Sequence, residues 1–204
     1  MIYGKAKLHA KIIAFSGRKQ SGKSTAIEFI TKQLPLNTDW QILNFADYLK
    51  EIVLNCFCPD FLDLKDLDQM FGKNHQLDNG KTVREVLQYI GTDIFRSVDD
   101  KAWIQAYQRR LKRQSSFIFT SDVRFENELV AIQELGGKVI RLTRDIYPED
   151  SHVSEGALDT IELNTIYNDD TFVPRFDYVI NNMSMSIDEK NEHLLEIMKK
   201  ESVL

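Results

Sequence analysis

KIIAFSGRKQSGKSTAIEFITKQL, residues 11–34, is the stretch that settles the architecture. Lys11 to Ser16 is a short apolar run bounded by Gly17, which reads as a buried strand. Ile27, Ile30 and Leu34 then recur at helical spacing from Ser24 onward, and Pro35 ends the pattern. Between strand and helix, GRKQSGKS (residues 17–24) matches G-x-x-x-x-G-K-[S/T] in full. Gly17 and Gly22 permit backbone angles that turn peptide N–H groups inward onto an anion. The helix that follows aims its unpaired amides and positive dipole end at the same point. Lys23 is placed to bridge the outer phosphates of a nucleoside triphosphate, and the Ser24 hydroxyl to ligate magnesium. Ser21 and Thr25 complete the donor-binding set; Lys19 is included with them, although a loop lysine of this kind commonly faces solvent.

Outward from that unit, strand and helix signals alternate. Gln41 to Phe45 reads as a strand, Asp47 to Phe57 as a helix, and the aspartate-rich stretch from Asp60 to Gly80 as short helix and loop. Val83, Val86, Leu87, Ile90, Ile94 and Phe95 line one face of a helix from Thr82 to Val98, with Gly91 inside it. Asp99 or Asp100 can cap the next helix, through about Arg113. Phe117 to Thr120 is a compact strand ending at Ser121 and Asp122. A helix from Arg124 to Leu135 stops at Gly136-Gly137, and Lys138 to Thr143 is another strand. Residues 144–170 read as irregular and exposed, Asp177 to Ile180 as a last strand, and Ile187 to Lys200 as a last helix. Strands alternating with helices imply an α/β fold, a parallel sheet covered on both faces. The expectation is one domain over residues 1–204, with an acceptor-binding excursion at about 46–98 and a lid-like segment at about 144–170.

Composition excludes several classes. A formal net charge of -5 argues against stable nucleic-acid binding, which needs a basic surface to neutralise phosphates. No apolar run approaches the roughly 20 residues that span a bilayer, and the basic start MIYGKAKLHAK is a poor signal peptide. Cys56 and Cys58 form a lone CFC without a second pair, expected as buried or half-buried free thiols in a reducing cytosol. A cytoplasmic protein acting on small molecules is the expectation.

The second informative stretch is FIFTSDVRFENE, residues 117–128. An apolar strand that ends in an acid beside a phosphate loop is the usual source of a carboxylate for the metal's outer shell. Asp122 fits that role; a helix N-cap is the other reading. Arg124, two residues on, falls at the carboxyl edge of the sheet, where open α/β folds bind ligands. Its guanidinium can grip an acceptor phosphate with two parallel hydrogen bonds, or pair with Glu126 or Glu128. Phosphoryl transfer needs charge neutralisation more than covalent chemistry, so Arg84, Arg96, Arg141 and Arg144 are further candidates. Arg144 begins the second excursion and suits a lid closing over the triphosphate. Trp103, Phe95 and Tyr89 lie near Arg96, where core packing is the default over stacking on a base. His152 has no second ligand beside it to suggest a metal.

The ordered set SGRKQSGKST, FADYLKEIV, VREVLQYIGTDIFR, Trp103, SDVRFENE and SHVSE resembles the deoxynucleoside monophosphate kinases of tailed bacteriophages, from Lys11 to about Ile180. The phosphate loop is generic; the GTDIFR and SDVRFENE blocks are the more specific part. The resemblance implies transfer of the ATP γ-phosphate to a deoxynucleoside monophosphate, with magnesium, in a host cytoplasm. It implies that Ala46, Asp47 and Lys50 lie on the acceptor side. It also implies that the helix bearing Gly91, Thr92 and Arg96 helps bind the nucleotide, with Arg84 and Trp103 in the same set. By the same likeness His152 and Glu155 belong to a closing segment, and the assembly is a homodimer, as is common among such kinases. Many relatives carry aspartate where Ser24 stands, and the DGxPR block of adenylate-kinase-like enzymes is replaced by SDVRF. Two other readings share the loop: a kinase for another phosphorylated acceptor, of the phosphomevalonate or dephospho-coenzyme A type, and a non-catalytic ATP-binding regulatory module.

Overall fold

The computed structural model describes residues 10–111, 115–146, 157–159 and 175–204. These group into two compact units, one of residues up to Asn44 together with those from Leu111 onward, the other of Phe45–Arg110.

The first unit is built on five strands: β1 (Lys11–Ser16), β2 (Trp40–Ile42), β3 (Phe117–Val123), β4 (Lys138–Leu142) and β5 (Tyr178–Ile180). They form one sheet in the order β2-β3-β1-β4-β5, and every pairing is parallel. β1 is central, and Ile12, Ile13, Ala14 and Phe15 are each no more than 2% exposed. A strand apolar on both faces belongs inside a parallel sheet, where each fully buried large side chain contributes about 1.5–3 kcal/mol. Ile13 and Phe15 join Phe119, Ile140, Leu142 and Ile180 in one cluster with Ala26, Ile27 and Ile30 of α1 (Lys23–Gln33). Leu194 and Met198 of the final helix fill the same layer. Ile12 points the other way by strand alternation, and a methyl group at Gly137 would meet both Ile12 and Ile132. Helices therefore cover both faces, as the alternation of elements implied.

β2 ends at Ile42 rather than continuing to Phe45. Leu43 still bonds Phe119 through its amide and accepts from the Thr120 hydroxyl, but Phe45 begins the second unit. β3 runs on through Val123, three residues beyond the expected end. Its pairing with β1 shifts by one residue between Ala14↔Thr120 and Ser16↔Val123, a β-bulge that accommodates an extra residue.

The second unit is helical: α2 (Asp47–Phe57), a 3-10 turn (Asp66–Asp68), α3 (Met70–Lys73), α4 (Val83–Gln88), a π-helical turn (Tyr89–Ile94), α5 (Phe95–Val98) and α6 (Ala102–Arg110). Thr82 opens α4 with a reciprocal cap, accepting from the Glu85 amide while the Glu85 carboxylate accepts from the Thr82 amide. The single helix expected from Thr82 to Val98 is present but widened by the π turn at Gly91. Leu49, Val53, Leu67, Val83, Val86 and Trp103 are buried here, and Phe45 stacks on Tyr107 with ring centroids 4.5 Å apart. Cys56 is exposed and Cys58 half-buried, both free, so only Cys58 meets the expectation of a sheltered thiol. Burial raises the Cys58 thiol pKa.

The first unit continues with α7 (Glu126–Glu134) after β3 and closes with α8 (Ile187–Lys200). Ser186 and Glu189 cap α8 reciprocally. No helix among the described residues is long and apolar enough to cross a membrane.

Candidate functional site

β1 delivers the chain into Gly17, whose φ is 150°. A side chain there would meet Ser21 Oγ at 2.5 Å and the Leu142 carbonyl at 2.6 Å, so the loop can close only on glycine. Gly22 precedes α1 in the left-handed region, with φ 100°. Inside the loop the Lys23 ammonium donates to the carbonyls of Gly17 and Arg18, both at 2.7 Å, and to Ser21 Oγ at 3.3 Å. Ser21 is fully buried, Lys19, Gly22 and Lys23 are half-buried, and Ser24 and Thr25 are exposed.

The neighbouring strands frame this loop. Ser16 pairs with Val123 on one side and with Arg141 on the other. The bulge therefore sets Asp122, half-buried, one residue before the partner of the residue that precedes Gly17. Arg124 follows, and the buried Glu128 carboxylate accepts from the backbone amides of Arg124 at 2.8 Å and Phe125 at 3.1 Å. Glu128 thus caps the start of α7 and holds the Arg124 backbone. Arg144 is exposed, just past β4; its amide donates to Asn182 Oδ1 at 2.9 Å. Asn182 Nδ2 in turn donates to the Ser21 carbonyl at 2.9 Å. One carboxamide, 4% exposed, ties the loop to the head of the segment that Arg144 begins.

Arg141, named as a further charge-neutralising candidate, is engaged within the protein. It is buried, donates to Ser16 Oγ at 2.9 Å and pairs with Asp159. Asp159 also takes two hydrogen bonds from Arg18, at 3.0 and 2.5 Å, and Asp145 lies 3.1 Å from the same guanidinium. Burial lowers the Arg141 pKa, against the pull of Asp159. The excursion expected to be exposed thus returns to the loop at residues 157–159, where Leu158 is 2% exposed. His152 and Glu155 lie outside the described residues.

The other candidates belong to the second unit. Ala46 is the N-cap of α2, and the Lys50 ammonium lies 3.4 Å from Asp47 and 2.6 Å from Asp68. Arg84, Thr92 and Arg96 are half-buried, and Arg96 donates to the Asp100 carbonyl at 3.3 Å. Trp103 is 4% exposed, its ring tilted against Phe95 at 4.7 Å. Sequence reasoning passed over Asn182, Asp159 and Lys190, the last reaching the Thr25 hydroxyl at 3.3 Å, and named Glu128 only as an ion-pair partner of Arg124. Among the described residues no cluster of three or more His, Cys, Asp or Glu side chains could hold a metal.

A fully parallel sheet whose central strand delivers a complete G-x-x-x-x-G-K-S loop to a helix N-terminus is that of an α/β P-loop kinase. A sequence model of the deoxynucleotide monophosphate kinase family matches residues 58–177. A protein of Acanthamoeba polyphaga mimivirus, named as a candidate deoxynucleotide monophosphate kinase, is 33% identical over 171 residues, which is 74% of this chain and 83% of that one. The chain belongs to the deoxynucleotide monophosphate kinase family. The GTDIFR and SDVRFENE blocks lie within the matched range; the phosphate loop lies before it.

Among solved structures, shikimate kinase from Acinetobacter baumannii in complex with shikimate is 11% identical with a TM-score of 0.46, over 98% of this chain and 99% of that one. A candidate kinase from Chloroflexus aurantiacus is 12% identical with a TM-score of 0.43, over 95% and 98%. Scores at this level do not by themselves define a fold.

Proposed function

We propose that the protein transfers the γ-phosphate of ATP to a deoxynucleoside monophosphate, giving ADP and a deoxynucleoside diphosphate. The observation that carries the reading is the bulge pairing Ser16 with Val123, which puts Asp122 at the level of the phosphate loop in a chain of this family. An acceptor phosphate oxygen attacks the γ-phosphorus as the bond to the β,γ-bridging oxygen breaks, and ADP leaves with that electron pair. A phosphate monoester is largely a dianion at neutral pH, its second pKa being about 6, so no general base is needed. The protein's work is positioning and charge neutralisation.

In this reading Gly17, Ser21, Gly22 and Thr25 cradle the donor phosphates, and Lys23 moves from its own loop carbonyls to the transferred group. Arg144 covers the triphosphate. Arg124 grips the acceptor phosphate, and residues of the second unit, among them Lys50, Arg84 and Arg96, select the rest of the acceptor. The donor set suits magnesium: Ser24 and Asp122 offer a hydroxyl and a carboxylate, the hard oxygens that ion prefers. Magnesium, when bound, neutralises charge on the triphosphate. We take the protein to act on free nucleotides in the cytoplasm of a host cell, as a homodimer without membrane or nucleic-acid partners.

The test is an ADP-release assay with ATP and magnesium against a panel of nucleoside and deoxynucleoside monophosphates. Turnover with deoxy acceptors, and little with the ribose forms, is the expected result. ATP binding with no turnover on any of them would overturn it and point to a phosphorylated acceptor that is not a nucleotide.

A further inference from the structure

Lys190 stands in the first turn of α8 and is 5% exposed. Its ammonium donates to Thr25 Oγ1 at 3.3 Å, and a methyl group at Gly22 would lie 3.7 Å from it. That hydroxyl already spends its proton on the Gly22 carbonyl, at 2.9 Å, so it offers the ammonium a neutral lone pair. No carboxylate among the described residues pairs with Lys190. Glu189, its neighbour, is committed to capping Ser186.

Among the described residues, the charge that acts on this ammonium is also positive. The first turns of α1 and α8 present the positive ends of their dipoles, where an anion is favoured and a cation is not. The Arg144 guanidinium adds a like charge. Burial first, and Arg144 second, lower the Lys190 pKa from its usual value. A buried charge is ordinarily paired, because its desolvation is otherwise uncompensated. An ammonium held against the phosphate loop, without a counter-charge among the described residues and beside the like charge of Arg144, is complementary to an anion that those residues do not supply.

The loop's geometry assigns that anion. Lys23 turns toward Gly17 and Arg18, the leading limb of the loop, whereas Lys190 reaches Thr25 and lies beside Gly22, where the loop becomes α1. In such loops the conserved lysine reaches the outer phosphates and the amides cradle the inner ones. We propose that Lys190 is a second phosphate-binding cation of the donor site, contacting an α- or β-phosphate and setting nucleotide affinity. The inference rests on reading this loop as the donor site.

The experiment is calorimetric titration of the full-length protein with ADP and with inorganic pyrophosphate, for wild type, Lys190→Met, Lys190→Gln and Lys190→Arg. Loss of a charged hydrogen bond should weaken both ligands by roughly 10- to 100-fold in the Met and Gln variants, with most of the loss recovered by Arg. Without nucleotide the thermal midpoint of the Met variant should equal or exceed that of wild type, because a charge without a partner has been removed. A midpoint that falls while ADP affinity stays unchanged would make Lys190 structural and overturn the proposal. Loss of ADP affinity with pyrophosphate affinity intact would place the ammonium on sugar or base and overturn it too, as would wild type binding ADP no better than the Met and Gln variants. None of these readouts needs an acceptor, so failure of every deoxynucleoside monophosphate to turn over would sink the proposed reaction and leave this result standing.

Discussion

The indole nitrogen of Trp103 donates a buried hydrogen bond of 2.8 Å to the carbonyl of Gly91, within the π-helical turn of the second unit. Leu49 closes on the same point, its Cδ2 lying 2.5 Å from where a Gly91 side chain would begin. Trp103→Phe keeps the ring contact with Phe95 but removes this buried hydrogen bond, a loss of about 1 kcal/mol. Gly91→Ala overpacks against Leu49 at a cost of about 1–3 kcal/mol. Urea unfolding should show both midpoints lowered with the slope unchanged; wild-type midpoints would mean that the π turn tolerates either change.

Lys23 and Asp122 lie on adjacent elements of the first unit and act on charge rather than on fold. Lys23→Met and Asp122→Asn should each reduce kcat by roughly 100- to 1000-fold, the range seen when one transition-state charge contact is removed. Lys23→Met also releases the Gly17 and Arg18 carbonyls that the ammonium holds. Circular dichroism should nevertheless stay native, since Lys23 and Asp122 are half-buried and outside the apolar cluster. Turnover within threefold of wild type for Asp122→Asn would remove that residue from the reacting centre.

Elements governed by local pattern were legible in the chain. α2 and α8 occupy the expected spans, Asp47–Phe57 and Ile187–Lys200, because apolar periodicity and end signals are properties of neighbouring residues. β3 was read as ending at Thr120 because Ser121 and Asp122 look like a strand's end; its continuation depends on a bulge in the register with β1, over 100 residues away in sequence. The phosphate loop was legible as a motif, but what braces it was not. Asn182 meets Ser21 across 161 residues and Lys190 meets Thr25 across 165, and both look like ordinary surface polar residues until the fold buries them. Arg141 likewise reads as a strand-end arginine open to phosphate, and its burial beside Ser16 and Asp159 depends on partners that the local sequence does not show.

Tyr178 at the edge strand β5 hydrogen-bonds the Glu201 carboxylate, and its pKa is pushed up to about 12, chiefly by that bond and then by burial. A raised folded-state pKa means that the folded chain holds the proton more tightly than the unfolded one. The contribution to stability is therefore full below about pH 10 and is lost as pH rises toward 12. The stability gap between wild type and Tyr178→Phe should shrink across that window. Spectrophotometric titration of the phenols should show one late-titrating tyrosine that the variant lacks; a gap constant from pH 8 to 12 would break the assignment.

Arg124 is presented by a carboxylate that holds its backbone: Glu128 accepts from the Arg124 amide at 2.8 Å and from Phe125 at 3.1 Å while itself buried. That contact fixes the residue's backbone, and substitution of the side chain tests the guanidinium. If the guanidinium grips the acceptor phosphate with two parallel bonds, Arg124→Ala should raise KM for the deoxynucleoside monophosphate by about 10- to 100-fold and leave KM for ATP within threefold. Arg124→Lys should recover little, because an ammonium cannot reproduce the planar fork. Glu128→Gln keeps one accepting oxygen for the two amides, so it should show the same acceptor-selective pattern at a fraction of the size, with a modest loss of stability from the weakened cap at α7. Steady-state kinetics with each substrate varied in turn separates the two sides. An effect of Arg124→Ala confined to ATP would move this arginine to the donor and leave the acceptor phosphate to residues of the second unit.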